Sequence, residues 1–306
     1  MIEVRNVSKS FNDFNAVKNS SFTIKKGELF GFLGPNGAGK STTINMMSSL
    51  LQPDSGSIFI DGINLQENPE KCKKLIGVVP QEISLYEDFS AYDNLLFWGK
   101  LYTIPTQELK QKIDAILKLI GLFDRKNDLI KTFSGGMKRR INIAAAILHN
   151  PTVLFMDEPT VGVDPQSRNR IFEIVETLNK QGMTIVYTTH YMEEVERLCN
   201  RIAIIDKGTI IAQGTQAELQ NESNINESIH LTFKEISTNQ FNALKNKFSS
   251  IILQNTTVIF TCDIQKELAT IISLCNNEGL KITDIDLKKI NLETIFLHLT
   301  GKNLRD

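Results

Sequence analysis

The sequence predicts an α/β fold with a largely parallel sheet, followed by a smaller α+β domain. Three observations carry that expectation. Short apolar runs alternate with helical patterns as far as Gln220, as they do when helices cross over between parallel strands. One of these runs, Leu29-Phe30-Gly31-Phe32-Leu33, feeds a stretch from Gly34 to Ser41 that fits G-x-x-x-x-G-K-[ST]. Beyond a polar segment at Asn221–Glu227 the pattern becomes βαββαβ, the order of a ferredoxin-like unit.

Taken in order, Ile2–Val7 and Ser20–Ile24 read as strands, with Phe11 and Phe14 as an aromatic pair in the polar loop between them. Gly56–Gly62 reads as a strand entering a tight turn, and Leu75–Val79 as a short buried strand ending at Pro80-Gln81. Ser90-Ala91-Tyr92-Asp93 resembles a capping box that opens a helix reaching Tyr102. Leu109, Ile113, Ile116, Leu117 and Ile120 recur at helical spacing, and Gly121 suits the cap that ends their helix. Thr152–Met156 is the next buried strand, a helix spans Gln166–Asn179, and Thr184–Thr189 leads to His190. Arg201–Asp206 and Thr209–Gln213 form a hairpin about Lys207-Gly208, and Thr215–Glu218 again resembles a capping box. The expected domains are therefore 1–220, with a helical subdomain over 85–148, and 221–306. In the second, strands are expected at Ile229–Phe233, Ser250–Leu253, Thr257–Cys262 and Leu280–Asp286, and helices at Thr238–Phe248, Ile264–Asn276 and Leu292–Leu299.

The stretch Gly34-Pro35-Asn36-Gly37-Ala38-Gly39-Lys40-Ser41-Thr42 has the composition that phosphate requires. Glycines let the backbone turn back from a strand into a helix, so that successive N–H groups point inward as an anion nest. The helix N-terminus adds unpaired donors and partial positive charge. Lys40 brings a full charge to the β- and γ-phosphates, and the Ser41 hydroxyl is placed to hold Mg²⁺. With a strand before it and a helix after it, this is a nucleoside triphosphate site rather than a chance Gly-rich turn. Asp157 ends an apolar strand, where a carboxylate can orient a Mg²⁺-bound water, and Glu158 next to it can activate the attacking water. Gln81 and His190 end other strands of the same sheet, and ligands bind beyond the carboxyl ends of strands in open α/β sheets.

Composition narrows the class. The formal net charge is -1, and from Asn221 onward 9 Lys/Arg accompany 10 Asp/Glu, so no basic stripe marks a nucleic-acid track. Cys72, Cys199, Cys262 and Cys275 are scattered without a C-x-x-C, the pattern of reduced structural thiols rather than zinc ligands or a disulfide framework. Met1-Ile2-Glu3-Val4-Arg5 begins as a strand and not as a secretory signal. The longest purely apolar run, Ile143–Leu148, falls far short of the roughly 20 residues a spanning helix needs. A membrane role is therefore expected only through a partner.

Together these segments resemble one family. Gly34–Thr42, Gln81 after a strand, Ser134-Gly135-Gly136-Met137, Val153–Glu158, Val163-Asp164-Pro165 and His190 occur in the order found in ATP-binding subunits of ABC transporters. The resemblance covers 1–220. The family's signature segment commonly reads Leu-Ser-Gly-Gly-Gln; here it is Phe133-Ser134-Gly135-Gly136-Met137, which keeps the hydroxyl and both glycines. The resemblance implies a P-loop ABC-type ATPase with antiparallel N-terminal strands, binding ATP and Mg²⁺. It implies two ATP sites between two subunits facing head to tail, as a homodimer or with a paired ATPase subunit. Lys40, Ser41, Gln81, Asp157, Glu158 and His190 would come from one subunit, and Ser134, Gly135 and Gly136 from the other, with Asp164 also at the nucleotide. Phe11 falls where the family stacks an aromatic on adenine, with Phe14 as the alternative. Ser134–Arg140 and the end from Ile290 to Asp306 are similar to the drug-resistance exporter branch.

The expectation is a cytoplasmic ATPase, peripheral on the inner face of the membrane, that drives export through separate transmembrane permease subunits. The alternatives are an importer subunit, an exporter of polysaccharide, lipid or sodium, and a soluble ABC ATPase acting on nucleic acid. The last usually carries a coiled-coil insertion, zinc cysteines or two cassettes, none of which is found in this sequence. The Asn-Lys-x-Asp segment of a GTPase is not found either. The second domain has no recognisable catalytic or metal-binding set and is expected to strengthen dimerisation or regulate coupling.

Overall fold

In the computed structural model, which describes residues 1–223, 225–248 and 250–301, the N-terminal alternation pairs as a hairpin. Strands β1 (Ile2–Phe11) and β2 (Phe14–Ile24) run antiparallel, and Phe11 pairs with Phe14. Both phenylalanines thus end strands instead of lying in a loop. The turn needs only Asn12 and Asp13, because Asn12 takes a φ of 50°, which a short amide side chain tolerates.

The buried strand β3 (Leu29–Leu33) leads into α1 (Lys40–Met47). Then come β4 (Ser55–Ile60) and β5 (Ile63–Asn64), joined at Asp61-Gly62, the short helix α2 (Pro69–Lys73) and β6 (Ile76–Val79). Three helices follow: α3 (Ala91–Leu101), α4 (Thr106–Leu119) and α5 (Gly135–Ile147). Ser90 caps the first as expected, its hydroxyl oxygen accepting the Asp93 N–H at 3.0 Å. Gly121, at a φ of 68°, ends the second. Then β7 (Val153–Asp157), α6 (Pro165–Lys180), β8 (Thr184–Thr189), α7 (Met192–Leu198), β9 (Arg201–Asp206) and β10 (Thr209–Gly214) complete this part.

Two sheets result. One is antiparallel in the order β2-β1-β4-β5; the other has six strands in the order β10-β9-β3-β8-β7-β6, parallel except for β10. Side chains alternate between its two faces. Phe30, Phe32, Phe155 and Val186 join the core shared with Ile2, Val4 and Phe22. Leu29, Leu154, Met156, Ile185 and Tyr187 join the core shared with Leu95, Ile113 and Ile143 of the helices. Burial on both faces explains why these strands read as unbroken apolar runs. Parallel pairing also sets the register of the strand ends: Leu33 lies opposite Thr189, Asp157 opposite Thr188, and Val79 opposite Met156. The residues that follow those ends therefore emerge along one edge.

The chain divides into two compact units, one over Met1–Gln216 and one beginning at Ala217. Helix α8 (Gln216–Glu222) takes in Asn221 and Glu222, so the polar linker is shorter than the sequence suggests. The second unit then runs β11 (Ser228–Phe233), α9 (Thr238–Lys245), β12 (Ile251–Gln254), β13 (Thr257–Thr261), α10 (Ile264–Asn277), β14 (Ile282–Lys288) and α11 (Leu292–Thr300). Its antiparallel sheet has the order β12-β13-β11-β14, that of a ferredoxin-like unit. The last strand begins two residues later than expected. Gly279 takes a φ of 72°, and the Leu280 N–H still donates to Cys275 of α10 at 2.9 Å. The exporter-like tail from Lys302 to Asp306 lies outside the described residues. Among the described residues, no helix is long and apolar enough to cross a membrane.

All the residues of the first unit's two cores precede Ala217, and Ile229, Leu231, Phe260 and Ile271 anchor a separate core in the second. A chain cut after Gln216 is therefore expected to melt in one cooperative transition by circular dichroism. A soluble product without such a transition would contradict this independence.

Candidate functional site

The loop after β3 turns where only glycine fits. At Gly39 the backbone has a φ of 107°, and a Cβ there would lie 2.4 Å from the Ala16 carbonyl oxygen. At Gly34 a Cβ would lie 2.3 Å from the Ile205 carbonyl oxygen. The loop is held from behind as well: the Gly208 N–H donates to the Ala38 carbonyl at 2.9 Å. Lys40, almost fully buried at the start of α1, donates from Nζ to the carbonyls of Gly34 at 2.8 Å and Pro35 at 3.1 Å. Its Nζ is also 3.3 Å from Glu158 Oε1. Burial pulls the Lys40 pKa below its ordinary value, with Glu158 and Asp157 opposing that shift.

Asp157 closes β7 and is buried, its Oδ1 accepting the Thr188 hydroxyl at 2.5 Å. Glu158 follows with a φ of 45°, a left-handed conformation that an L-residue keeps only where its surroundings enforce it. Its N–H is fixed by the Thr188 carbonyl at 3.1 Å and the Thr188 hydroxyl at 3.0 Å. That turn aims the carboxylate at Lys40 on one side and at His190 on the other. The His190 Nδ1 stands 3.4 Å from Glu158 Oε1, with no hydrogen-bond partner.

These groups line a cavity of about 480 Å³, together with Phe11, Phe14 and Ala16 of the hairpin, Asn36, Gly37, Gly39, Ser41 and Thr42 of the loop, Gln81 and Val161. Both candidate aromatics are present. Gly34, Pro35 and Ala38 shape the loop without lining the cavity, and Asp157 lies outside its lining.

Ser134, Gly135, Gly136 and Asp164 do not line the cavity either. They cluster where two helices begin. Ser134 caps α5, accepting the Met137 N–H at 3.3 Å, and Asp164 caps α6, accepting the Ser167 N–H at 2.9 Å. Hydrogen bonds from Ser167 hold the Asp164 carboxyl below the usual carboxylate range. The helix starts meet closely, since a Cβ on Gly136 would lie 2.3 Å from Ser167 Cβ.

Three supporting groups escaped the sequence reading. Thr188 serves both acids. Glu194 of α7 accepts hydroxyls from Thr160 at 2.7 Å and Tyr187 at 2.9 Å, and burial holds the Tyr187 hydroxyl well above its usual pKa. Arg139 of α5 donates from Nη1 to the Pro80 carbonyl at 2.5 Å and from Nη2 to the Gln81 carbonyl. Its signal was helical phase: Gly136, Arg139 and Ile143 all fall on buried positions of α5.

The ABC transporter family profile matches residues 17–161. The linearmycin resistance ATP-binding protein of Bacillus subtilis (strain 168) is 45% identical over 311 residues, covering 100% of both chains. This chain belongs to the ATP-binding subunits of ABC transporters. A second relative of this ABC ATPase, the Nod factor export ATP-binding protein I of Cupriavidus metallidurans, is 34% identical over 310 residues, covering 100% of this chain and 99% of its own. Among solved structures, an ATP-binding subunit of an ABC transporter aligns with a TM-score of 0.66 at 29% identity, covering 72% of this chain and 92% of its own. A dimeric post-hydrolysis cassette bound to ADP and Pi aligns with a TM-score of 0.64 at 28% identity, covering 70% and 98%. The ABC ATPase binds and hydrolyses ATP. Its relatives align along the whole chain, second unit included, whereas the solved cassettes leave part of it unmatched.

The Gly39 turn gives a direct test. Gly39→Ala combines a left-handed φ with a carbonyl clash, and strain of about 1–3 kcal/mol is expected to weaken ATP binding about 5- to 150-fold. Calorimetric titration with ATP checks this; unchanged affinity would mean that the loop relaxes freely.

Proposed function

We propose that this subunit powers export through a separate membrane permease, working as a head-to-tail pair of ATPases that closes on two ATP molecules. The observation that carries the reading is the division of the site. The cavity gathers Lys40, Ser41, Gln81, Glu158 and His190, while Ser134, Gly135 and Gly136 stand apart at the start of α5. No acidic side chain occupies the first turn of that helix, so its N–H donors suit an anion from another molecule.

In this reading the loop N–H groups and Lys40 hold the β- and γ-phosphates. An arriving phosphate replaces Glu158 beside Lys40 and leaves that carboxylate to face water. Glu158 takes the proton as the water oxygen attacks the γ-phosphorus and ADP departs, and His190 orients the reacting groups. Phe11 stacks on adenine, with Phe14 beside it. The donors available for a cation are the Ser41 hydroxyl, the Gln81 amide and the Asp157 carboxylate, all hard oxygens that fit Mg²⁺. Among the described residues, no group of three or more His, Cys, Asp or Glu could hold a metal, so the ion would take its other ligands from phosphate and water. When bound, Mg²⁺ neutralises charge on the phosphate oxygens.

Export, rather than import, follows the relatives named for linearmycin resistance and Nod factor export. Tyr86 and Phe89, exposed shortly after Gln81, offer the permease an apolar contact, which would keep the subunit at the inner face of the membrane. The cargo path then belongs to the permease.

Two experiments test the reading. Glu158→Gln is expected to lower turnover by roughly 10²–10⁴-fold while ATP binding survives and an ATP-bound dimer accumulates on size exclusion. Near-normal turnover would remove Glu158 as the base. Lys40→Ala and Ser134→Arg subunits, each inactive alone, are expected to recover hydrolysis when mixed, because both lesions then share one site. Mixed dimers that form and remain inactive would rule out the head-to-tail pair.

A further inference from the structure

We propose that Arg139 is a positioning residue: it fixes the backbone of Gln81 and thereby sets how strongly a divalent cation tightens ATP binding. The inference rests on the reading above in which Gln81 offers an oxygen to Mg²⁺.

After β6 the chain has no regular strand or helix through residues 80–89, yet Gln81 must reach the cavity. Two side chains of α5 replace the missing ladder. Arg139 donates to the carbonyls of Pro80 and Gln81, and the Asn142 amide, three residues along the helix, donates to that of Glu82 at 3.3 Å. Three consecutive carbonyls are thus held from one helix. A guanidinium is a rigid planar fork whose two terminal nitrogens each reach a carbonyl, whereas an ammonium brings all its donors to a single nitrogen.

Arg139 holds this position against an adverse environment. It is 4% exposed, and among the described residues no carboxylate accepts a hydrogen bond from it and its buried Nε–H has no hydrogen-bond partner. Burial pulls its pKa below the ordinary arginine value, opposed by the nearby Tyr187 and Asp157. An apolar side chain would fill such a place at lower cost, so stability alone does not account for an arginine. The neighbouring residues mark the contrast. Lys138 pairs with the exposed Glu87, and Arg140 donates to the Ile120 carbonyl at 2.9 Å. Of these three basic residues it is Arg139 that holds the Gln81 carbonyl, with the Asp157 charge acting on it.

Arg139→Lys isolates the fork, because it retains the charge and replaces two separate donor nitrogens with one on a differently shaped side chain. Calorimetry in the Glu158→Gln background, where turnover does not interfere, compares ATP affinity with and without Mg²⁺. Arg139→Lys is expected to cut the Mg²⁺-dependent gain about ten-fold, the cost of one good hydrogen bond to a charged donor, while Mg²⁺-free affinity stays unchanged. Amide hydrogen exchange over 80–85 should rise in the same variant. Gln81→Ala should lose the gain as well, and the double variant should be no worse than Gln81→Ala alone. Additive losses, or a full gain in Arg139→Lys, would overturn the proposal while leaving the role of Gln81 intact. A full gain in Gln81→Ala would overturn both, by removing Gln81 from the cation. Arg139→Gln, with one amide donor, serves if the lysine variant melts early, and the same outcomes decide.

Discussion

A buried ammonium is the constraint on which the rest of the site depends. Lys40 can keep its charge out of water only if its N–H groups find acceptors, because an unpaired buried charge is very costly. The Gly34 and Pro35 carbonyls and the Glu158 carboxylate are those acceptors. For those oxygens to converge, the loop must bend back on itself at Gly39, and β3 and β7 must end level with each other. The parallel sheet supplies the second condition, and the absence of a side chain at Gly39 supplies the first. In the proposed reading an arriving phosphate has to displace Glu158, but the ammonium and the bent loop are already in place.

What could be read in advance was whatever depended on local chemistry. The phosphate loop, the acids at the end of β7, and His190 after β8 each stand at the end of an apolar strand that the sequence marks, and it is their joint presence in one sheet that singles them out. The two-sided burial of the sheet was legible because apolar runs such as Val153–Met156 suit no exposed surface. The ferredoxin-like order of the second unit was legible for a similar reason, with helix periods and strand periods alternating without long insertions. The limits fell where one residue changes a boundary. Asn12 turns the hairpin in two residues, and Gly279 extends the bonding of α10 past its last turn.

Groups that act through tertiary contact left a weaker trace. Lys138-Arg139-Arg140 looks like a solvated charge run, and only its phase on α5 puts the middle residue inside. Thr188 is one more β-branched residue in a strand, although it holds both Asp157 and Glu158. Glu194 sits in the acidic stretch Glu193-Glu194, and nothing local distinguishes the buried member from its neighbour. These residues are recognised by their partners, and the partners lie far away in sequence.

The separation of Ser134–Gly136 from the cavity is the feature that the proposed head-to-tail pair would use. A helix start with two glycines and no acidic residue in its first turn has donors to offer, while its own chain directs phosphate to another loop. If both sets of donors belonged to one subunit's cavity, ATP would be bound completely by a monomer, and its binding energy could not be used to bring two subunits together. In the head-to-tail pair proposed above, dividing the donors would make closure a consequence of ATP binding, and hydrolysis would remove the γ-phosphate that both halves contact. Helix α5 spans this division, with the signature residues at its N-terminus and Arg139 on Gln81 one turn later. In that proposed pair, the helix would give an event at one ATP a short mechanical route to the residue that lines the other site.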